Sequence, residues 1–155
     1  MIEFRNIVSK TDKEYVQKLL QEDVVKKYIG DISITEYTKI IDVDSSYFGI
    51  VHFYFYQIID AIYCEPLIYI KHRSIYSHEI IFKAINYIFG KKGVQSVIFK
   101  VFSDNRIMVN MMSILNILNV GKIEDVSEDY DRDLYIYKLD RSNYEKMVED
   151  YSNYV

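Results

Sequence analysis

At 155 residues the chain has the length of one domain, and with half of its residues apolar it can bury one sizeable core. A formal net charge of −4 gives no global positive field for nucleic acid, and the basic clusters Lys71-His72-Arg73 and Lys91-Lys92 are too small for a duplex footprint. No apolar run approaches the roughly 20 residues that span a bilayer. The start, Met1-Ile2-Glu3-Phe4-Arg5, lacks the basic-then-apolar layout of a secretory signal. A single cysteine, Cys64, cannot form an internal disulfide and reads as a small buried hydrophobe rather than a nucleophile. The expectation is a cytoplasmic protein with neither nucleic-acid nor membrane partners.

Ile2–Val8 alternates, with Ile2, Phe4 and Val8 on one side and Glu3 and Arg5 on the other, which is a strand pattern. Thr11 and Glu14 form a capping box ahead of Tyr15, Val16, Leu19 and Leu20 at helical spacing, and Gly30 is the expected stop. Ser33 and Glu36 repeat the box before a short helix carrying Tyr37, Ile40 and Ile41. Tyr47–Ile59 and Ala61–Ile70 are β-branched and aromatic runs that form an antiparallel hairpin turning at Ile59-Asp60. Pro66 removes a ladder donor, so the second strand should bulge or lie at an edge there.

Tyr76–Phe89 reads as a helix with Ile81, Ala84, Ile85 and Ile88 on one face and Gly90 as its stop. Val94–Phe102 is the next strand. Asp104 caps a helix over Asn105–Leu118, whose Met108, Met111, Met112, Leu115 and Leu118 form an apolar stripe that belongs to the core. Leu134–Leu139 is a final strand, and Arg141–Val155 is a docked helix or a frayed tail. The order β-α-α-β-β-α-β-α-β describes an α/β (α+β) fold with a mixed, mostly antiparallel sheet. It forms one domain over residues 1–140 followed by the tail. The helix between the Ala61–Ile70 and Val94–Phe102 strands is a crossover, which makes those strands parallel neighbours. Its N-terminus, around His72–Ser77, then lies at the carboxyl end of the preceding strand, where free N–H groups and Arg73 suit an anion.

In this order of elements the chain resembles a GNAT-superfamily acyltransferase, closest in layout to the type that acetylates ribosomal-protein N-termini. Two stretches carry the resemblance. In the family an Arg/Gln-x-x-Gly-x-Gly/Ala loop opens the crossover helix; here the equivalent stretch is His72-Arg73-Ser74-Ile75-Tyr76-Ser77, with Ile75 in place of the central glycine. Val101-Phe102-Ser103-Asp104-Asn105 resembles the end of the family's fifth strand, where an Asn opens the next helix. Asn105 and Gly121 fit the family's spacing, whereas Met108 and Asn116 depart from it.

The resemblance implies an acyl-CoA N-acyltransferase-like fold that moves an acetyl group from acetyl-CoA, as cosubstrate, to a primary amine on a small molecule or a peptide N-terminus by direct attack. It places the cofactor on Leu67, Tyr69, His72, Arg73, Ser74, Ile75, Tyr76, Ser77 and Asn105, with the pantetheine arm hydrogen-bonded along a strand. Glu65 is the implied general base. The family's acid tyrosine falls at Met112, which leaves Tyr76 as the substitute. His52, His72 and His78 lack ligand-like spacing, so no metal is expected, and no nucleophile elbow, Walker loop or dinucleotide fingerprint occurs. A second reading stands beside the enzyme: a non-catalytic relative that keeps the fold as a binding or dimerisation module. A homodimer is left open.

Overall fold

The structure is a computed structural model that describes residues 1–71, 76–126 and 131–152. Its elements are β1 (Ile2–Asn6), α1 (Lys10–Leu20), α2 (Asp23–Tyr28), β2 (Thr38–Val43), β3 (Ser46–Ile58), β4 (Ala61–Ile70), α3 (Ser77–Phe89), β5 (Val94–Phe102), α4 (Arg106–Ile114), β6 (Leu118–Ile123), β7 (Leu134–Asp140) and α5 (Arg141–Ser152). Seven strands pair in the order β1-β2-β3-β4-β5-β7-β6. The ladders β1/β2, β2/β3, β5/β7 and β6/β7 are antiparallel, whereas β4/β5 is parallel, as the crossover through α3 requires. The expected mixed, mostly antiparallel α+β architecture is therefore what the chain adopts. No helix of the described residues is long and apolar enough to cross a membrane.

Several local expectations need correction. The helix placed at Tyr37, Ile40 and Ile41 is instead strand β2: Thr38, Ile40, Ile41 and Val43 are all buried, and the Ser33–Glu36 pattern caps nothing. The second helix lies earlier, at Asp23–Tyr28. Gly30 follows it at φ +83°, so the expected stop does end this helix pair. The first capping box belongs to Ser9 and Asp12 rather than Thr11 and Glu14. Asn105, not Asp104, caps α4, and that helix ends at Ile114. Leu118, read as the last residue of that helix, instead opens the edge strand β6, Leu118–Ile123.

The chain forms two compact units: Met1–Tyr54 with Pro66–Asn86, and Phe55–Glu65 with Tyr87 onward. In the first, Val16 and Leu19 of α1 and Val25 of α2 bury against Ile40 and Ile50, with Tyr15, Tyr47 and Tyr69 packed around them. Asp12 fastens α1 in place. Its carboxylate accepts from Arg5 Nη1 (2.9 Å), the Tyr47 hydroxyl (2.8 Å) and the backbone N–H groups of Val8 (3.1 Å) and Ser9 (3.2 Å). Arg5 also reaches Asp42 at 3.2 Å. In the second unit Arg141 opens α5 and donates to the carbonyls of Val94 (3.0 Å), Phe89 (3.2 Å) and Lys91 (3.4 Å). One side chain thus satisfies carbonyls where α3 ends and where β5 begins.

The Arg5 guanidinium, followed by the Tyr47 hydroxyl, holds the Asp12 carboxyl far below the usual carboxylate range. A depressed folded-state pKa contributes stability above the unfolded value and loses it as pH falls. Asp12→Asn is therefore expected to melt well below the wild type at pH 7, and the gap should narrow as pH drops below about 4. Thermal melts of both proteins across that range check it.

Gly49 on β3 has φ +154°, and a Cβ there would lie 1.9 Å from the Tyr69 carbonyl oxygen on β4. Because the obstacle is backbone, it cannot swing aside. Gly49→Ala should cost about 3 kcal/mol or more and lower Tm by roughly 10 °C, a loss read directly by calorimetry.

Candidate functional site

The ladder registers decide which side chains share a face in the second unit. Cys64 pairs with Val97, and Val97 pairs in turn with Leu139. Strand alternation puts Val97, Phe99 and Val101 on one side together with Tyr137 and Leu139, and all of these are buried. Glu65 therefore points to the opposite side, with Ile98, Lys100 and Phe102 of β5 and Leu134, Ile136 and Lys138 of β7. This second face is half-open, and Lys100 on it is exposed. The β4/β5 ladder runs from Ile62↔Val94 to Cys64↔Val97, with a register shift between Ile62 and Tyr63. On the β5 side the register shift thus falls at Tyr63, and Pro66 sits two residues beyond the last pair, where its missing N–H interrupts no pair of this ladder.

On the half-open face Glu65 is ion-paired. Its Oε2 lies 3.1 Å from Lys100 Nζ, with the Glu65 side chain 15 % exposed and that of Lys100 46 %. Tyr56 and Tyr63 stack at 5.7 Å between centroids beside it. Burial, and next the Glu65 charge, push the Tyr56 hydroxyl pKa up. The proposed base thus already holds a cation and has two phenol rings for neighbours. Reading the sequence alone did not single out Lys100, Tyr56 or Tyr63. Alternation along Val94–Phe102 marks Lys100 as outward-facing, but only the register with β4 shows that it meets Glu65.

Asn105 caps α4 through its Oδ1, which accepts from the Met108 backbone N–H at 3.4 Å. That role accounts for an asparagine at this position on structural grounds alone. Met112 is fully buried, so the position that carries the family's acid tyrosine is here a core position. Nearby, Arg132 lies with its guanidinium 3.6 Å from the centre of the Phe102 ring and 3.7 Å from Asp104. Burial pushes the Cys64 thiol up to about 12, which keeps it protonated and inert.

In the first unit Leu67 and Tyr69 lie half-buried on β4, and Tyr69 packs against the α1/α2 core. Tyr76 meets Phe48 edge-on at 6.3 Å, and its carbonyl accepts from Ile80 at 2.9 Å, so it stands just ahead of α3. Ser77, the first residue of that helix, is buried. His72, Arg73, Ser74 and Ile75 lie outside the described residues.

His52 lies on β3 and is buried. Its Nδ1 lies 2.7 Å from the Thr38 hydroxyl, which itself accepts from the Thr35 N–H at 3.0 Å. Burial lowers the His52 pKa, so the imidazole is neutral. Among the described residues no cluster of three or more His, Cys, Asp or Glu is arranged to hold a metal ion.

No protein-family model matches the sequence, and no curated protein matches it. Solved structures do. A spermidine N-acetyltransferase from Vibrio cholerae, in complex with CoA and spermine, superposes with a TM-score of 0.76 at 14 % identity, over 92 % of this chain and 97 % of that one. A GNAT-family acetyltransferase from Bacillus anthracis gives 0.70 at 16 % identity, over 91 % and 95 %. An aminoglycoside acetyltransferase, AAC(6')-Ib, in complex with coenzyme A, gives 0.68 at 9 % identity, over 94 % and 98 %. At such identities the likeness is one of fold: this chain has the architecture of the GNAT acetyltransferases along nearly its whole length.

Proposed function

We propose that the chain is an N-acyltransferase that moves an acetyl group from acetyl-CoA to a primary amine by direct attack of the amine on the thioester. The observation that carries this reading is the fold likeness, which spans more than nine-tenths of both chains and includes neighbours solved with CoA. The parallel β4/β5 pair with its short ladder supports it, because that pair is the element along which the family's cosubstrate runs. The ribosomal-protein type suggested by the layout is one candidate for the acceptor class, beside small-molecule amines. A cytoplasmic location and the absence of nucleic-acid and membrane partners belong to the same reading.

The chain's own residues fit such a cosubstrate unevenly. In the first unit Leu67 and Tyr69 are the strand residues assigned to it, and Tyr76 and Ser77 open the helix whose N-terminus suits its phosphates. Arg73 adds charge by sequence. Ile75 stands where a glycine would let backbone approach a ligand, and a β-branched residue does that badly. In the second unit Asn105 opens α4, and Glu65 is the carboxylate assigned as base. Tyr76 is the assigned acid, since Met112 is core. A non-catalytic binding module on the same fold is the second reading, favoured by Ile75 and by the buried Met112.

Ligand-induced melting shifts separate the two. Saturating acetyl-CoA at a hundredfold excess over Kd would stabilise by about 2.7 kcal/mol, which is roughly 5–10 °C for a chain of this size. The expected wild-type result is a smaller, saturable shift that Ile75→Gly enlarges and Arg73→Ala reduces. Flat melting curves for wild type and Ile75→Gly alike would give the fold to the module reading. Once an acceptor is in hand, Glu65→Gln should lower the rate by at least about tenfold near neutral pH.

A further inference from the structure

We propose that Lys100 is itself an acyl acceptor, so that the chain carries a self-acetylation site on the carboxylate assigned as its base. The inference rests on the acetyl-CoA reading and takes it one step further. Lys100 Nζ lies 3.1 Å from Glu65 Oε2, within the reach a general base needs of the proton it removes. The register makes this pairing a property of the sheet: Lys100 sits on the same face as Glu65, three residues past Val97, the ladder partner of Cys64. Its strand neighbours Ile98 and Phe102 flank it on that face, and Ile136 stands directly opposite it on β7.

Other lysines among the described residues form ion pairs too, and comparison with them sets Lys100 apart. Lys10–Glu14 and Lys122–Glu124 join side chains whose carboxylates are exposed, and Lys71–Glu22 and Lys138–Asp140 involve carboxylates at least twice as exposed as Glu65. Lys100 combines a shielded carboxylate with an amine that solvent and a ligand can reach. Such an arrangement is what an acceptor amine would meet on arrival at Glu65.

The chemistry balances without a redox partner. The Lys100 ammonium gives one proton to Glu65, and the free Nζ attacks the carbonyl carbon of the acetyl thioester. The N–C bond forms as the C–S bond breaks, and the nitrogen sheds a second proton. One proton ends on the CoA thiol and the other passes to solvent, leaving an acetylated Lys100. Its positive charge is lost, and with it the resident partner of Glu65.

The test needs no acceptor. The folded chain is incubated with acetyl-CoA, and acetylation at each lysine is followed in time by peptide mass spectrometry, with melting shifts recorded on the same samples. The expected result is that Lys100 is labelled at least about tenfold faster than Lys10, whose side chain is 91 % exposed, as general-base assistance requires. In the urea-unfolded chain that advantage should vanish. Glu65→Gln, shown to be folded by its melt, should bring Lys100 down to the rate of Lys10. Lys100→Arg should remove the dominant label while keeping the acetyl-CoA melting shift. Labelling that simply tracks exposure, or that Glu65→Gln leaves unchanged, overturns the inference. A melting shift without Lys100 labelling overturns the inference alone, whereas neither shift nor labelling overturns it together with the acetyl-CoA reading.

Discussion

The parallel pairing of β4 with β5 constrains much of the second unit, because strands that run the same way cannot be joined by a tight turn. A crossover of a dozen or more residues is needed, and α3, Ser77–Phe89, supplies it with Ile80, Ile81, Ala84, Ile85 and Ile88 fully buried. The same ladder fixes Cys64 opposite Val97 and so determines the facing of every later residue on β5. A slip of one residue would turn Val97, Phe99 and Val101 out to the half-open side and bring Lys100 to the buried one, at the cost of burying an ammonium beside Tyr137. Register and the placement of Glu65 beside Lys100 are therefore one constraint.

The two faces of that sheet are held apart by different physics. On the buried side, apolar area removed from water supplies the stability at roughly 25 cal/mol per Å². On the half-open side, polar groups pair locally: Ser96 donates to Asp140 at 2.6 Å, Lys138 sits 3.5 Å from the same carboxylate, and Glu65 holds Lys100. Exposed ion pairs contribute little to stability, so a charged face of this kind is retained at small energetic gain. Glu65 differs from the rest because its carboxylate is shielded, and shielding makes the loss of its partner costly.

The parts of the fold that were legible in the sequence are those with a strong period. Val94–Phe102 and the Ile59-Asp60 hairpin could be placed from alternation and β-branched content, and α3 from its isoleucine stripe. Where two patterns overlapped, the local signal misled. Ser33 and Glu36 form a capping pattern, yet Thr38–Val43 is a strand because Ile40 and Ile41 are taken up by β1 and β3 on either side. Leu118 continued a helical stripe, but Asn116 adopts φ +55° and breaks α4 just before it, freeing Leu118–Ile123 to pair with β7. The candidate site was legible only residue by residue. Glu65 could be named from its place on a strand, whereas its partner lies far along the chain and becomes visible only once two strands are in register.

The departures from the family pattern also take a different weight once packing is considered. A tyrosine at Met112 would carry a hydroxyl into a fully buried position, where an unpaired polar group costs free energy, so a methionine is what the packing there favours. Asn105 is retained for a reason the helix itself supplies, since its Oδ1 satisfies an N–H of the first turn of α4. Neither residue therefore argues strongly about chemistry in either direction. Glu65 is different, because nothing in strand packing calls for a shielded carboxylate on β4, and an apolar residue would cover the same area without a charge to compensate. Lys100 is the compensation, and it is an amine. The feature of the second unit that packing explains least is thus a shielded carboxylate and an ammonium held at hydrogen-bonding distance.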